Sequence, residues 1–279
     1  MTSVALYIIP GHKLSNQTCA AMAHGIGAKS SMMAIDNYRP SHSADFDVAV
    51  FWGFITACQN IMRDFQAIGK PVIYIDQGYW GRNKHNGYFK VAVNARHPTK
   101  YFQKRLHSGD RARALGVVAK PWVGNGNHIL VAGMSAKAAW AEKLEPVESF
   151  ERNVINTIRK VTDRPIIYRP KPSWKDARPI GGVKYSDPRQ SLAEVLKDCH
   201  AVVTHHSNVA VDGLVAGIPC FVWAGVAMPM ASDDLRRIDN PVRLDGREQW
   251  IADIGYTQWN IEEMRCGLPW RLLKEDGLI

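Results

Sequence analysis

The 279-residue sequence predicts an α/β protein of two domains with parallel sheets, closed by a helical tail. Three observations carry that expectation. Short β-rich runs alternate with stretches of helical spacing, the pattern of a parallel sheet covered by helices on both faces. A loose segment from Ser108 to Asn127, with Gly109, Gly116, Pro121, Gly124 and Gly126, interrupts the alternation and divides the chain near residue 122. After residue 245 the pattern turns helical, with Trp250, Trp259 and Trp270 spaced as core or domain-contact anchors.

The elements follow in order. In the first domain, residues 1–122, the runs Val4–Ile9, Met32–Ile35, Asp47–Phe51, Val72–Asp76 and Phe89–Val93 read as strands. Ile55–Ile68 repeats apolar residues at helical spacing and stops at Gly69. The second domain, residues 123–245, reads as strand His128–Ala132, helices over 135–143 and 146–161, and strand Pro165–Arg169. Helix 190–197, strand Ala201–Val203, helix 208–216 and strand Cys220–Trp223 complete it, and residues 246–279 form the tail.

Composition narrows the class. Hydrophobic residues make up 46% of the chain, ordinary for a globular protein, with no repeat and no low-complexity tract. No apolar run reaches the ~18 residues that cross a bilayer, so no stable membrane insertion is expected. The stretch Met1–Pro10 opens directly on a strand pattern and has neither the basic nor the long apolar region of a secretory signal. Cys19, Cys58, Cys199, Cys220 and Cys266 are odd in number and scattered, which suits a reducing cytoplasm and argues against a disulfide frame or a zinc cluster. The net charge of +9, spread through 82–120 and 152–189, points to an anionic partner: nucleic acid, a membrane surface or nucleotide phosphates.

The stretch Ala201–Trp223 is the most informative. An apolar run ends in Thr204, His205, His206 and Ser207, and a short amphipathic segment follows. Gly217 stands where a helix end takes a left-handed residue, and Pro219 lies just beyond it. A polar cluster between a strand end and the next helix suits a nucleotide phosphate; the same pattern also arises as plain α/β packing, with the histidines as packing residues. Three other strand ends carry chemistry. Ile9–His12 contains Gly11, which lets backbone approach a ligand closely. Asp76, at the tip of the fourth strand, is either a general base or a cap on the Gln77–Gly78 turn. In Tyr168–Ser173, Arg169 and Lys171 alternate with prolines, which suits a diphosphate or makes a solvated basic surface.

Walker A, Gly-x-Gly-x-x-Gly after the first strand, Gly-x-Ser-x-Gly and His-Glu-x-x-His are all absent, so kinase, dehydrogenase, serine hydrolase and zincin chemistry have no support. No metal is expected, His205 and His206 being the residues that could ligate one.

The run His206–Pro219 resembles the donor-nucleotide motif of GT-B glycosyltransferases and UDP-sugar 2-epimerases. The resemblance implies that His206, Ser207 and Asn208 meet the donor phosphates, that Asp212 holds the ribose hydroxyls in place of the commoner Glu, and that Gly217-Ile218-Pro219 closes the motif. The Arg169-Pro-Lys-Pro loop resembles the basic, proline-flanked loop of capsule-polysaccharide and polysialic-acid transferases. The first half is similar to phage and prophage proteins through Gly69–Arg82 and Asn94–Pro98. What these likenesses imply is the GT-B plan: two Rossmann-like domains, the donor on the second and the acceptor against the first, with the tail crossing back to brace the N-terminal domain.

The reading is a cytoplasmic, metal-independent glycosyltransferase using a UDP-sugar cosubstrate and no other cofactor. Arg169, Lys171 and the turn at Ser207 would meet the diphosphate, and Gly11 is assigned to the donor. Asp76 would be the base, with Asp36, Asp45 and Asp47 as alternatives. The phage-like half and the positive charge make hydroxymethylpyrimidine DNA the first acceptor, touched by Tyr79, Trp80, Arg82, Arg96 and Lys100. Lys84, Lys90, Lys104 and Arg105 would extend that surface. The alternatives are a capsule or lipopolysaccharide transferase and a non-catalytic nucleotide- or DNA-binding protein on the same scaffold. Sugar, stereochemistry and oligomeric state are not fixed by these residues, and His12, His97 and His205 carry no assigned role.

Overall fold

A computed structural model describes residues 2–82, 87–99, 106–144, 146–187 and 189–279. The chain forms two compact units, one of residues 1–115 with 252–279 and one of residues 116–251. The sequence reading sets these divisions at 122/123 and 245/246.

The first unit is built on a six-stranded sheet. Its parallel part comprises β1 (Val4–Ile8), β2 (Ser30–Ala34), β3 (Val48–Trp52) and β4 (Val72–Gln77), side by side as β2-β1-β3-β4. β1, β3 and the start of β4 are apolar throughout because helices cover both faces. Alternate residues serve opposite faces. Val4, Leu6, Val48, Val50 and Ile73 pack with Cys19 and Met22 of α1 (Lys13–Ile26). Ala5, Tyr7, Ala49 and Phe51 pack with Ile61 and Phe65 of α3 (Thr56–Ala67), which follows the short α2 (His42–Asp45).

The expected parallel sheet is present in this unit and carries an antiparallel edge. β5 (Phe89–Val93) runs antiparallel to β4, and β11 (Gln258–Trp259) runs antiparallel to β5. α4 (Asp110–Ala114), α10 (Ile261–Arg265) and α11 (Leu268–Glu275) complete the unit. Met264, Trp270 and Leu273 bury against the same core as α1, and Trp259 joins them. The tail is thus helices with a two-residue strand inserted, too short to betray itself by alternation.

The second unit is a five-stranded, all-parallel sheet in the order β10-β9-β6-β7-β8. Its strands are β6 (His128–Ala132), β7 (Ile166–Arg169), β8 (Lys184–Tyr185), β9 (Cys199–Val203) and β10 (Cys220–Phe221). The helices are α5 (Ala136–Glu142), α6 (Ser149–Ile158), α7 (Leu192–Leu196), α8 (Val209–Val215) and α9 (Arg247–Gly255), the last crossing the division at 251/252. Val154, Ile155 and Ile158 of α6 bury against Ile129, Val131, Ala201 and Val203. Gly217 ends α8 at φ +80°, and a Cβ there would run into the Pro121 carbonyl, so the Gly-Ile-Pro sequence has a packing cause within this unit.

Strand order reverses between β6 and β9, because β7 and β8 lie to one side of β6 and β9 and β10 to the other. Parallel sheets bind ligands outside the carboxyl ends of the strands at such a reversal. The loops leaving β6 and β9 are therefore the place to look.

Candidate donor site and the strand ends around it

The loop after β9 carries the predicted turn. Its backbone is held from β10's side: the His205 carbonyl accepts the Trp223 amide at 3.0 Å and the Ala224 amide at 2.9 Å. Gly225, at φ +91°, lies under His206, and a Cβ there would come a tight 3.3 Å from the His206 Cβ and carbonyl. Phe150 of α6 meets both His205 and Trp223 edge to face, with ring centroids 5.2 and 5.1 Å away. Ser207 Oγ accepts the Val209 amide at 3.3 Å, while Asn208 makes no capping bond to α8. His206, Ser207, Asn208 and Asp212 are all half-buried. The structure thus gathers His205, His206, Ser207 and Asn208 on one turn, with Asp212 one helical turn on.

The loop after β6 faces the same reversal. Gly133 lies close over Tyr168, and a Cβ there would come 2.9 Å from the Tyr168 ring and 3.3 Å from Glu151 Oε1. The Met134 amide donates to Glu151 Oε1 at 2.8 Å, and Glu151 is fully buried. Burial raises the Glu151 pKa above its ordinary value, and it also raises that of the Tyr168 hydroxyl, with the Glu151 charge adding to it. At the end of α5, Glu142 Oε1 stands 3.9 Å from His206 Nδ1, and the two histidines face each other Nδ1 to Nδ1 at 2.9 Å.

The Arg169–Lys171 pair splits. Arg169 ends β7 and is buried; its guanidinium donates to Ser186 Oγ at 3.1 Å and to the Gln190 carbonyl at 3.0 Å, and burial lowers its pKa. Lys171 is exposed. Two of Arg169's five donors are therefore committed to the protein.

In the first unit Asp76 lies at the carboxyl end of β4, as expected. Oδ2 accepts the Tyr74 hydroxyl at 2.5 Å and Oδ1 accepts the Gln77 amide at 2.8 Å. Lys90 is its cross-strand partner, buried over the rings of Tyr74 and Tyr79. Burial, and after it the neighbouring Asp76 charge, push the Tyr74 hydroxyl pKa far up. Gly11, in the loop after β1, has φ +72° with open space around it. His12 accepts the Ser15 amide as the α1 cap and packs on Trp52 at a tilt, with ring centroids 4.3 Å apart. Of the alternative bases, Asp47 is corrected: it sits at the amino end of β3 and binds the Ser3 amide and hydroxyl, away from the strand ends where chemistry is expected. Asp36 lies in the turn after β2 and Asp45 ends α2.

The expected DNA surface also changes. Tyr79 and Trp80 are 1% and 7% exposed, so neither ring is offered to a base. Tyr79's hydroxyl meets His97 Nδ1 at 3.2 Å. Arg82 turns its guanidinium back onto the carbonyls of Gly78 and Tyr79, at 2.7 and 2.6 Å. Arg96 packs over Phe54, its guanidinium 5.1 Å from the ring centre and its pKa lowered by burial. Lys100, Lys84, Lys104 and Arg105 lie outside the described residues.

The sequence matches no family model and no curated protein. Among solved structures, it is similar to KpsC of Thermosulfurimonas dismutans. The β-Kdo 2,4 transferase superposes with a TM-score of 0.56 at 11% identity, covering 95% of this chain and 98% of the other. The β-Kdo 2,7 transferase superposes with a TM-score of 0.56 at 13% identity, covering 98% and 100%. The fold is of GT-B type. At this identity the likeness speaks for the fold alone.

On a GT-B framework the reversal in the second unit is the candidate donor site, and sequence reasoning found only half of it. Glu142, Phe150, Glu151 and Trp223 were not singled out. The two glutamates sit in amphipathic helices where a Glu reads as a solvent position, and only the sheet order brings them to the strand ends.

Proposed function

We propose that the protein is a glycosyltransferase that takes a sugar from a nucleotide-activated donor and passes it to a hydroxyl of a glycan. The observation that carries this reading is the turn His205–Asn208 at the β6–β9 reversal, where half-buried polar side chains gather at the carboxyl end of β9. Glycosyl transfer builds charge on the departing phosphate, passes through an oxocarbenium-like state and requires the acceptor hydroxyl to lose a proton. In this reading His206, Ser207, Asn208 and Lys171 bind the departing phosphates and Asp212 the ribose. Arg169 positions the Lys171 loop through Ser186 and Gln190. Asp76 takes the proton, with its second oxygen oriented by Tyr74.

A glycan is preferred to DNA because the rings that would stack on an extruded base are buried. The KpsC structures are those of Kdo transferases, so a Kdo donor joins the UDP-sugars in the test. Purified protein is incubated with that panel, with glycan acceptors and with hydroxymethylated DNA, and products are read by mass spectrometry. A sugar added to a glycan is expected. A sugar added only to DNA would transfer the reading to the DNA acceptor, and nucleotide binding without transfer would make the protein a binder on this scaffold.

A further inference from the structure

The structure assigns a divalent cation site to Glu142, His205 and His206. Each offers one donor atom, and the three atoms lie within 4.8 Å of one another. Two metal bonds of about 2.0–2.1 Å, at angles of roughly 90–110°, span about 2.9–3.4 Å between nitrogens. The Nδ1–Nδ1 separation of 2.9 Å is at the short end of that range, so a cation entering between the imidazoles needs only a slight opening. The rings are nearly perpendicular, at 87°, so the two imidazoles meet edge to face and not stacked. Glu142 Oε1, 3.9 Å from His206 Nδ1, closes the triangle with small movement at the end of α5.

The scaffold around the three is fixed. Phe150 walls His205, Gly225 backs His206, and the His205 carbonyl is tied to two amides after β10. Where both imidazoles are neutral, one Nδ1–H donates to the other Nδ1, so cation binding needs that proton moved to the donor ring's Nε2. Two imidazoles and a carboxylate favour Zn2+ or Co2+ over Mg2+ and Ca2+, which prefer all-oxygen shells. Three protein ligands leave a fourth position for an outside oxygen. That position lies on the turn where the donor phosphates are proposed to bind; this last step rests on the proposed function, whereas the cation site rests on its own geometry.

The test uses the full chain and the metals alone. Equilibrium dialysis should show one Zn2+ per chain, and Co2+ should give a visible absorption band on binding. His206→Ala and Glu142→Ala should each weaken binding by more than about 100-fold, beyond the scale seen for outer-shell partners. Should His206→Ala fail to fold by circular dichroism, His206→Gln serves in its place. Titration of UDP is run with and without Zn2+. Stoichiometric Zn2+ uptake that vanishes in the variants supports the site whether or not UDP binds; without UDP binding it is the functional reading that falls. No stoichiometric uptake, or uptake unchanged in both variants, overturns the site even if UDP binds well.

Discussion

The Met134 amide donates to Glu151 Oε1 across 2.8 Å, tying α6 to the loop that leaves β6. The carboxylate is fully buried, and its second oxygen has no hydrogen-bond partner among the described residues. An ionised carboxylate so placed is costly, which is why its pKa moves up from 4.5.

This gives a pH prediction with a definite sign. With the folded pKa raised, Glu151 favours the fold most when protonated, below its unfolded value, and that contribution is lost as pH rises through the folded value. Glu151→Gln retains an acceptor for Met134 and cannot ionise. Its Tm relative to the natural protein should therefore rise as pH increases above the ordinary carboxylate value of 4.5. Melting curves from acid to neutral pH check it; a constant difference would show that Glu151 ionises as readily in the fold as in the unfolded chain.

Gly217 tests whether the Gly-Ile-Pro segment serves the fold. Gly217→Ala forces a Cβ towards the Pro121 carbonyl at φ +80°, whereas Gly246→Ala has a similar φ of +83° and open space. The first should cost more than about 3 kcal/mol and the second about 1 kcal/mol, the difference being overpacking added to backbone strain. Urea denaturation of both variants measures it, and equal losses would contradict the contact.

Arg169 and Lys171 should separate. Lys171→Ala is expected to weaken nucleotide binding by about tenfold, the scale of one charged hydrogen bond, with Tm unchanged. Arg169→Ala should lower Tm as well, because Ser186 Oγ and the Gln190 carbonyl lose their partner. Calorimetric titration and melting of both variants decide; a Tm loss in Lys171→Ala alone would reverse the assignments.

For Asp76, replacement by Asn should leave donor affinity in place and reduce turnover by about a hundredfold or more, the scale of general-base removal. Tyr74→Phe should give a smaller loss in kcat, since it removes the hydroxyl that orients Oδ2 but leaves the carboxylate. Near-normal kcat in Asp76→Asn, with the fold intact, would move the role to Asp36 or Asp45.

Much of this architecture is legible in the sequence because buried parallel strands are apolar runs, and β1, β3 and the end of β9 are such runs. Where a strand is two residues long, as β8 and β11 are, no alternation exists to read. The turn at Thr204–Asn208 was visible because polar residues end an apolar run abruptly. Glu142 and Glu151 were not, because a helix periodicity marks a face and says nothing about which strand end that face meets. The rings of Tyr79 and Trp80 show the opposite failure: a loop dense in aromatics reads as a surface, and here it folds inward, with the Tyr79 and Trp80 amides on Gln258 Oε1 at 2.7 and 3.1 Å.

The central claim is that a nucleotide-activated donor binds at the β6–β9 reversal of the second unit. Amide hydrogen exchange with and without each nucleotide of the donor panel tests it most directly, because ligand binding suppresses local opening where contacts form. The account predicts slowed exchange concentrated in residues 133–135 and 204–212. Protection confined to other segments by a nucleotide that binds, or no binding by any member of the panel, would contradict it.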